Sequence, residues 1–496
     1  MKALLIYPLI PDTYWNFRHV MKLLRKKASN VPLGLLTVAA LLPKNWEIKI
    51  VDINAQALSE ETIRWADMVF IGAMIIQKES ARQLIAQCRK LGKTVVGGGP
   101  LFTSSPDEFH DVDHLVLNEA EITLPLFLHD LESGTPQRIY TSEERPDITM
   151  TPLPRWDLID VNIYLSVSVQ YSRGCPYDCE FCDIVHLNGR ISRVKSNEQM
   201  IREFEALYKI GWRGSLFIVD DNFIGNRSKV KMLLRELIPW QQARNFPFTL
   251  YTEASVNLSR DEDLMQLMKN AGFDSVFVGI ETPEEECFVE CDKHQNRSID
   301  MIDAVKTIQR NGMEVMGGFI IGFDNDPPDI FERQVKFIQD SGVVRAMIGL
   351  LNALPGSRLY KRLKNEGRLL DHLSGDNCDG SMNFIPRMDY QLIKQGYDDI
   401  LNYLYSPEQY YQRILKFLDT YIPARRHRIT FLGITAFLNS ILYLGILDKW
   451  HHSIFFWKLL LKTLIFHRQS LREAVTLMMF GYHFRKLFVK NKNKTL

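Results

Sequence analysis

The sequence has no long apolar opening, no internal repeat, no low-complexity tract and almost no net charge. Its first residues, Lys2-Ala3-Leu4-Leu5-Ile6-Tyr7-Pro8, end their apolar run at Pro8. They read as a first β-strand and its loop rather than as a secretory leader. Cysteine is scarce and odd in number: Cys88, Cys175, Cys179, Cys182, Cys287, Cys291 and Cys378. With three of the seven tightly clustered, a disulfide framework is disfavoured and a metal site in a reducing compartment fits better. The rest of the composition is ordinary. With 46% hydrophobic, 24% charged and 11% aromatic residues, it excludes disordered, collagen-like and multi-span membrane proteins. A chain of 496 residues has room for roughly three domains, each with a sizeable core.

The net charge of +1 conceals two opposite parts. From Ala424 to Leu496 there are 13 Lys+Arg against only Asp448 and Glu473, a charge of +11, which leaves −10 for the first 423 residues. An acidic body joined to a basic tail predicts an anionic partner for the tail, a membrane surface or nucleic acid.

Residues 1–130 alternate strand and helix patterns. Strands are expected at Ala3–Tyr7, Ile48–Asp52, Met68–Gly72, Thr94–Gly97 and His114–Leu117. The helix-like stretch Glu79–Leu91 places Ala81, Leu84, Ile85 and Cys88 on one side. This rhythm implies a doubly wound parallel sheet with ligands at the carboxyl ends of its strands. Residues 131–162 are rich in turn formers and read as a linker that closes at Pro152-Leu153-Pro154-Arg155-Trp156. Residues 163–351 resume the rhythm with six β/α units, which suggests a curved, incomplete barrel carrying its chemistry at the strand ends. The expected fold class is therefore α/β: a first domain over 1–145, a partial (β/α)6 barrel over 160–355, and a helical extension over 356–496 with the basic, apolar tail from about 424.

Tyr171-Ser172-Arg173-Gly174-Cys175-Pro176-Tyr177-Asp178-Cys179-Glu180-Phe181-Cys182 places three thiols in C-x-x-x-C-x-x-C spacing, in the loop after the first barrel strand. Thiolates so close in sequence can wrap one compact centre, and thiolate is the ligand that iron–sulfur clusters and zinc prefer. Zinc needs a fourth ligand, for which nearby His186 is the candidate; three structural cysteines are a further alternative. On this spacing and position the chain resembles the radical S-adenosylmethionine (SAM) superfamily. The resemblance implies a 4Fe-4S cluster on Cys175, Cys179 and Cys182, with SAM chelated at the open iron and cleaved to a deoxyadenosyl radical, and with Phe181 near the adenine. It also implies a reduced flavodoxin- or ferredoxin-type electron donor.

Further segments resemble the family's SAM-binding strand ends: Asp220 and Asp221 after the second strand, Glu253 after the third, Gly279-Ile280-Glu281-Thr282 after the fourth, and Gly317-Gly318 in the fifth. The alternatives are a helix cap at Asp220-Asp221 and a structural ion pair at Glu281. Ala353-Leu354-Pro355-Gly356-Ser357 resembles the Pro-Gly segment after the sixth strand. Cys287 and Cys291 are either isolated small hydrophobes or ligands of a second metal.

In the first domain, Gly97-Gly98-Gly99-Pro100-Leu101-Phe102-Thr103 follows the fourth strand, and three bare backbone positions let a large flat ligand approach. G-x-G-x-x-G is absent, which disfavours a dinucleotide. The segment resembles the cobalamin-binding domain often fused ahead of a radical SAM barrel. Gly97, Gly98, Gly99, Pro100, Thr103 and Glu119 are then the expected cobalamin contacts, with Asn118 in a family glycine position. The family's Asp-x-His-x-x-Gly is missing; its nearest echo, Asp52-Ile53-Asn54, has no histidine. The expectation is cobalamin without a protein histidine ligand, the alternative a degenerate domain that binds nothing.

Ile429–Leu447 is an uncharged run of 19 residues, nearly enough to span a bilayer. Ten basic residues follow it and three precede it, so a single span would place the catalytic body outside. Helices lying on the inner leaflet, with their cations at the headgroups, are the expected arrangement; a buried helix pair is the alternative. The apolar content argues against nucleic acid. The ending, from Glu473-Ala474-Val475 to Gly481-Tyr482-His483-Phe484-Arg485-Lys486, resembles the extension of hopanoid-methylase-like proteins.

These resemblances together imply a cobalamin-dependent radical SAM methyltransferase acting on an unactivated carbon, with a hopanoid-like polycyclic lipid or another hydrophobic small molecule as substrate. It would be cytoplasmic and peripheral on the inner face of the membrane. A ring cyclase, a methylase of a soluble metabolite and a cobalamin- or redox-responsive regulator are the alternatives.

Overall fold

Runs such as Ala3-Leu4-Leu5-Ile6 and Met68-Val69-Phe70-Ile71 lack polar alternation, and a strand of that kind needs cover on both faces. In the computed structural model, which describes residues 1–370, 373–425 and 431–492, all eight of these side chains are buried. The strands are β1 (Lys2–Tyr7), β2 (Ala28–Asn30), β3 (Glu47–Asp52), β4 (Met68–Gly72), β5 (Thr94–Gly98), β6 (His114–Val116) and β7 (Ile139–Tyr140). All but β2 form one parallel sheet in the order β3-β1-β4-β5-β6-β7. The helix Lys78–Lys90 packs on it through Ala81, Leu84, Ile85 and Cys88.

The second sheet is built from β8 (Tyr164–Val169) and, beyond the short antiparallel pair β9 (Ser172–Arg173) and β10 (Arg193–Val194), from β11 (Ser215–Ile218), β12 (Thr249–Glu253), β13 (Phe273–Glu281), β14 (Glu314–Ile321) and β15 (Ala346–Leu350). Its order is β15-β14-β13-β12-β11-β8-β2, parallel throughout. The end strands are not paired with each other, so the sheet is a partial barrel. Burial alternates along β11 and β12. Leu216, Ile218, Leu250 and Thr252 are buried, while Phe217, Tyr251 and Glu253 are half-exposed. The half-exposed set, with Phe277, Gly318 and Ile320, marks the inner wall.

One element departs from the sequence reading. The segment Thr13–Asn30 leaves the first domain for the barrel. Tyr14 donates its hydroxyl to the Ile348 carbonyl at 3.1 Å and accepts the Ile348 N–H at 3.3 Å, on β15. Seventeen residues of sequence carry it across to the opposite edge, where Ala28 and Asn30 pair with Tyr164 and Ser166 of β8. Trp15 lies between, its ring 5.1 Å from that of Phe277 on the inner wall.

The tail forms helices over Phe431–Ser440, Trp450–Phe466 and Leu471–Lys492, with a π-helical stretch at Ile441–Ile446. Arg426, Arg428, Ile429 and Lys494 lie outside the described residues. The tail grips the N-terminal excursion. Phe480 packs on Phe17 at 4.7 Å, Phe484 on Tyr14 at 5.7 Å, His483 meets the Thr13 carbonyl at 3.0 Å and Asn439 donates to the Leu23 carbonyl at 2.6 Å. Its other side stays open, with Leu438, Ile446, Leu447, Trp450, Leu461, Ile465 and Phe466 all exposed. Among the described residues, no helix is long and apolar enough to cross a membrane.

Candidate functional site

The cysteine loop is shaped by backbone constraints before any ligand binds. Gly174 sits at φ +93°, where a side chain would fall 2.5 Å from the Ile191 carbonyl and 2.9 Å from that of Gly189, so only glycine fits before Cys175. Cys175 donates its N–H to the Gly189 carbonyl, and Cys182 to the Cys179 carbonyl. Cys179 is buried; Cys175 and Cys182 are half-exposed, and no thiol is in a disulfide. Burial pushes the Cys175 and Cys182 thiols up, so without a metal they stay protonated. Three thiols and no hard ligand suit an iron–sulfur cluster. His186, the candidate fourth ligand of a single zinc, lays its ring against Gly356. Among the described residues, no three His, Cys, Asp or Glu side chains converge on one ion. Cys287 donates to Asp326 at 3.4 Å, and Cys287 and Cys291 are both buried.

The carboxylates expected to face SAM divide into two groups. Asp220 accepts from the Tyr171 N–H and from the Ser172 hydroxyl, both at 2.7 Å, and is buried. Asp221 accepts from the Gly174 N–H at 2.7 Å and from the Asn188 amide. Both therefore anchor the cysteine loop, in place of the open contact or helix cap read from the sequence. Glu281 sits at φ +67° and turns its carboxylate back to Lys293 at 2.5 Å, a buried ion pair. Glu253 differs. Burial, then the neighbouring Asp221 and Asp220, push its carboxyl up to about 8, and no donor offsets them. It is the carboxylate of this set left open to a ligand. Gly318 makes room for the Phe277 ring, which a side chain would meet at 2.8 Å.

A wall that the sequence reading missed follows β13. Cys291 accepts the Glu180 N–H at 2.8 Å, Lys293 lies 5.7 Å from the Phe181 ring centre, and Gln295 points its Nε2 at Cys179 Sγ, 3.4 Å away. Asn296 bonds the Gly279 and Ile280 carbonyls at 3.2 Å. Cys-Asp-Lys-His-Gln-Asn has no periodicity, so nothing short of its position after the fourth strand marked it. Gln295 Oε1 is buried without a partner, an orphan beside the thiols that fits a site built for a further group.

At the other face, Gly98 and Gly99 are half-exposed and Pro100 exposed at the carboxyl end of β5, and a side chain at Gly98 or Gly99 would meet the Val116 or Ala73 carbonyl at 3.0 or 3.1 Å. Gly97 departs from the expectation: it is buried, and its missing side chain accommodates Phe102. Asn118 adopts φ +63°, the left-handed conformation that explains an asparagine in a glycine position. Thr103 holds it by accepting its N–H at 3.0 Å. Where a ligating histidine would stand, Asn54 is tied to the Pro8 carbonyl, to Asp52 and to the Ile10 N–H. Position 54 therefore offers a tied amide and no imidazole.

Glu119 also departs from the expectation. Its carboxylate takes Arg173 at 2.7 Å and Arg193 at 2.7 and 3.1 Å, and Glu121 takes Arg173 at 2.8 and 3.0 Å. Arg173 stands two residues before Cys175. The turn at the edge of the proposed cobalamin shelf is thereby bolted to the cysteine loop.

Known proteins agree with this geometry. Residues 169–350 match the Radical SAM superfamily, residues 13–128 the B12 binding domain, and residues 357–495 a domain of unknown function (DUF4070). An uncharacterized methyltransferase of Synechocystis sp. is 45% identical over 83% of this chain and 78% of its own. The hopanoid C-2 methylase of Rhodopseudomonas palustris is 33% identical over 97% of this chain and 92% of its own. The fold is shared with a radical SAM methyltransferase, TsrM, from Kitasatospora setae, solved with cobalamin and a [4Fe-4S] cluster bound: TM-score 0.63 at 15% identity, covering 97% of this chain and 99% of that one.

Proposed function

Because the chain belongs to the cobalamin-binding radical SAM methyltransferases, on the hopanoid-methylase-like branch, we propose that it methylates an unactivated carbon of a polycyclic isoprenoid lipid taken from a membrane. Bound 4Fe-4S cluster, SAM and cobalamin supply the radical and methyl chemistry. The chain supplies the shape, the orientation and the exclusion of water.

The inner wall carries the reading. Trp15 against Phe277 at 5.1 Å, and Phe217 stacked on Tyr251 at 4.6 Å, line it with flat apolar rings, and all four are half-exposed. A fused-ring hydrocarbon fits such a surface, whereas a small polar metabolite would need more converging hydrogen-bond groups. Glu253 and Gly279 mark the carboxyl end of this wall, nearest the cysteine loop.

The tail supports a membrane source. On the helix Trp450–Phe466, the exposed stripe Trp450, Trp457, Leu461 and Ile465 alternates with exposed Lys458 and Lys462. Lys449 and Arg468 flank it. The two acids of this stretch turn inward: Asp448 to Arg485 at 3.0 Å and to His452 at 3.1 Å, and Glu473 into the core, where burial pushes its carboxyl up to about 7. Four exposed cations contribute about 4 kcal/mol at an anionic leaflet, and the apolar stripe adds the second anchor that stable attachment needs. These features support a peripheral position on the inner face of a membrane.

Anaerobic turnover with methyl-labelled SAM, against a lipid extract and an aqueous metabolite extract in parallel, tests the reading. Label is expected in a polycyclic lipid. Label in a water-soluble product rejects the lipid, and a lipid product changed without gain of the methyl carbon points to a cyclase. Lys458→Glu/Lys462→Glu should release the protein from anionic vesicles while leaving SAM cleavage intact.

A further inference from the structure

The three cluster sulfurs do not have equal surroundings. Cys175 and Cys182 are half-exposed, and the Asn222 amide comes no nearer to Cys175 Sγ than 3.9 Å. Cys179 is buried, and its sulfur faces the turn after β13, from which Gln295 approaches to 3.4 Å. That turn is fixed at both ends. Asn296 ties it to β13, and the bond from the Glu180 N–H to the Cys291 carbonyl ties it to the cysteine loop. Lys293, held by Glu281 and lying near the Phe181 ring, adds a buried ammonium on the same side.

We propose that Gln295, supported by Lys293, is a positioning residue that sets the reduction potential of the 4Fe-4S cluster through the Cys179 sulfur. An N–H donated to a cluster sulfur, and a cation beside it, stabilise the extra electron of the reduced state and raise the potential. Gln295 can do this at Cys179 because its other amide atom, Oε1, is buried without a partner, so no competing bond pulls the amide away. The one-electron reduction takes its electron from a low-potential donor, dithionite in the test below. The effect is independent of the lipid reading, because it is measured without substrate.

The experiment is a redox titration of the reconstituted full-length protein, followed by the electron paramagnetic resonance of the reduced cluster. Gln295→Leu should lower the reduced-to-oxidised ratio at a fixed solution potential by about threefold to tenfold, tenfold being ~59 mV for one electron. Iron and sulfide content should stay at the wild-type level. Lys293→Met should act in the same direction. Gln295→Glu should act more strongly, since it puts an acceptor with negative charge at the sulfur. Proton double resonance after exchange into heavy water should show an exchangeable coupling in the wild type that Gln295→Leu lacks. Full cluster content with unchanged potential in Gln295→Leu and Gln295→Glu overturns the proposal. Should Gln295→Leu lose the cluster, Gln295→Met, which keeps the length but not the N–H, carries the same comparison. Loss of the cluster from both folded variants refutes tuning and makes the residue structural.

Discussion

Arg173 joins two carboxylates of the first domain to the barrel, and the consequence of removing it follows from its bonds. Its side chain is 13% exposed, and those of Glu119 and Glu121 are 6% and 4%. In Arg173→Met, Glu119 keeps Arg193 at 2.7 Å, whereas Glu121 keeps the Thr151 hydroxyl at 2.7 Å and its own backbone N–H. One buried carboxylate then has neutral donors and no cation, a loss of about 3–5 kcal/mol. At roughly 2 °C per kcal/mol, the thermal midpoint of the apoprotein should fall by about 6–10 °C. The pH dependence separates this account from generic damage. In the wild type, burial raises the Glu121 pKa, but the Arg173 hydrogen bond and charge outweigh it and hold the carboxyl below its ordinary value. A depressed folded pKa gives stability that is present above the unfolded value and lost as pH falls through the folded one. Without Arg173 only neutral donors oppose burial, the folded pKa rises, and the variant gains stability as pH falls. The gap between variant and wild type should therefore be widest near pH 8 and shrink toward pH 4–5. Adding Glu121→Gln to Arg173→Met should recover much of the loss at pH 8 and little at pH 4. A gap of equal size at both pH values, or no recovery by the second substitution, refutes the argument.

Asp221→Ala frees the Gly174 N–H and the Asn188 amide; the expected result is a folded protein with reduced iron content after gel filtration. Asn118→Ala should destabilise by about 1–2 kcal/mol, because alanine tolerates the left-handed backbone poorly and drops the bond to the Ser142 carbonyl, whereas Asn118→Gly should cost less; equal melting temperatures for the two would contradict this. Trp15→Ala removes one ring of the inner wall, so label transfer to lipid should fall at least tenfold while cluster content and uncoupled SAM cleavage persist. Cys175→Ala should abolish both cluster assembly and SAM cleavage.

Much of the architecture was legible because parallel β/α units write themselves in short apolar runs and amphipathic helices. Met68–Gly72 agrees residue for residue, and the other strands expected in the first domain shift by one residue at one end. The cysteine loop was legible because its three thiols lie within eight residues of one another. The carboxylates were legible as residues but not as roles. Whether Asp220 faces a ligand or the Tyr171 N–H depends on side-chain direction at a strand end, which no period encodes. Gly97 looked like part of a ligand shelf, yet it answers to Phe102 five residues on. The strand Ala28–Asn30 was invisible. Ala-Ser-Asn carries no strand signal, and its pairing is dictated by an edge supplied by Tyr164–Ser166.

That misplaced strand has a consequence for how the protein is made. Tyr14 meets Ile348 across 334 residues of sequence, a stretch a ribosome adding roughly 5–20 residues per second needs about 15–70 s to complete. Throughout that interval Tyr14 and Phe17 lack the Ile348 and Phe480 contacts, although the sheet they spring from can already assemble. The newborn chain therefore carries a sticky aromatic loop that must be kept from neighbours until its sixth barrel strand and its tail emerge. Cutting the gene in the 141–163 region, the natural place to separate a cobalamin module from a radical module, leaves the barrel fragment with an unpaired edge at β8 and the other fragment with this loop unsheltered. The two modules are joined by their folding history as well as by their chemistry, and expression of either alone should call heavily on chaperones.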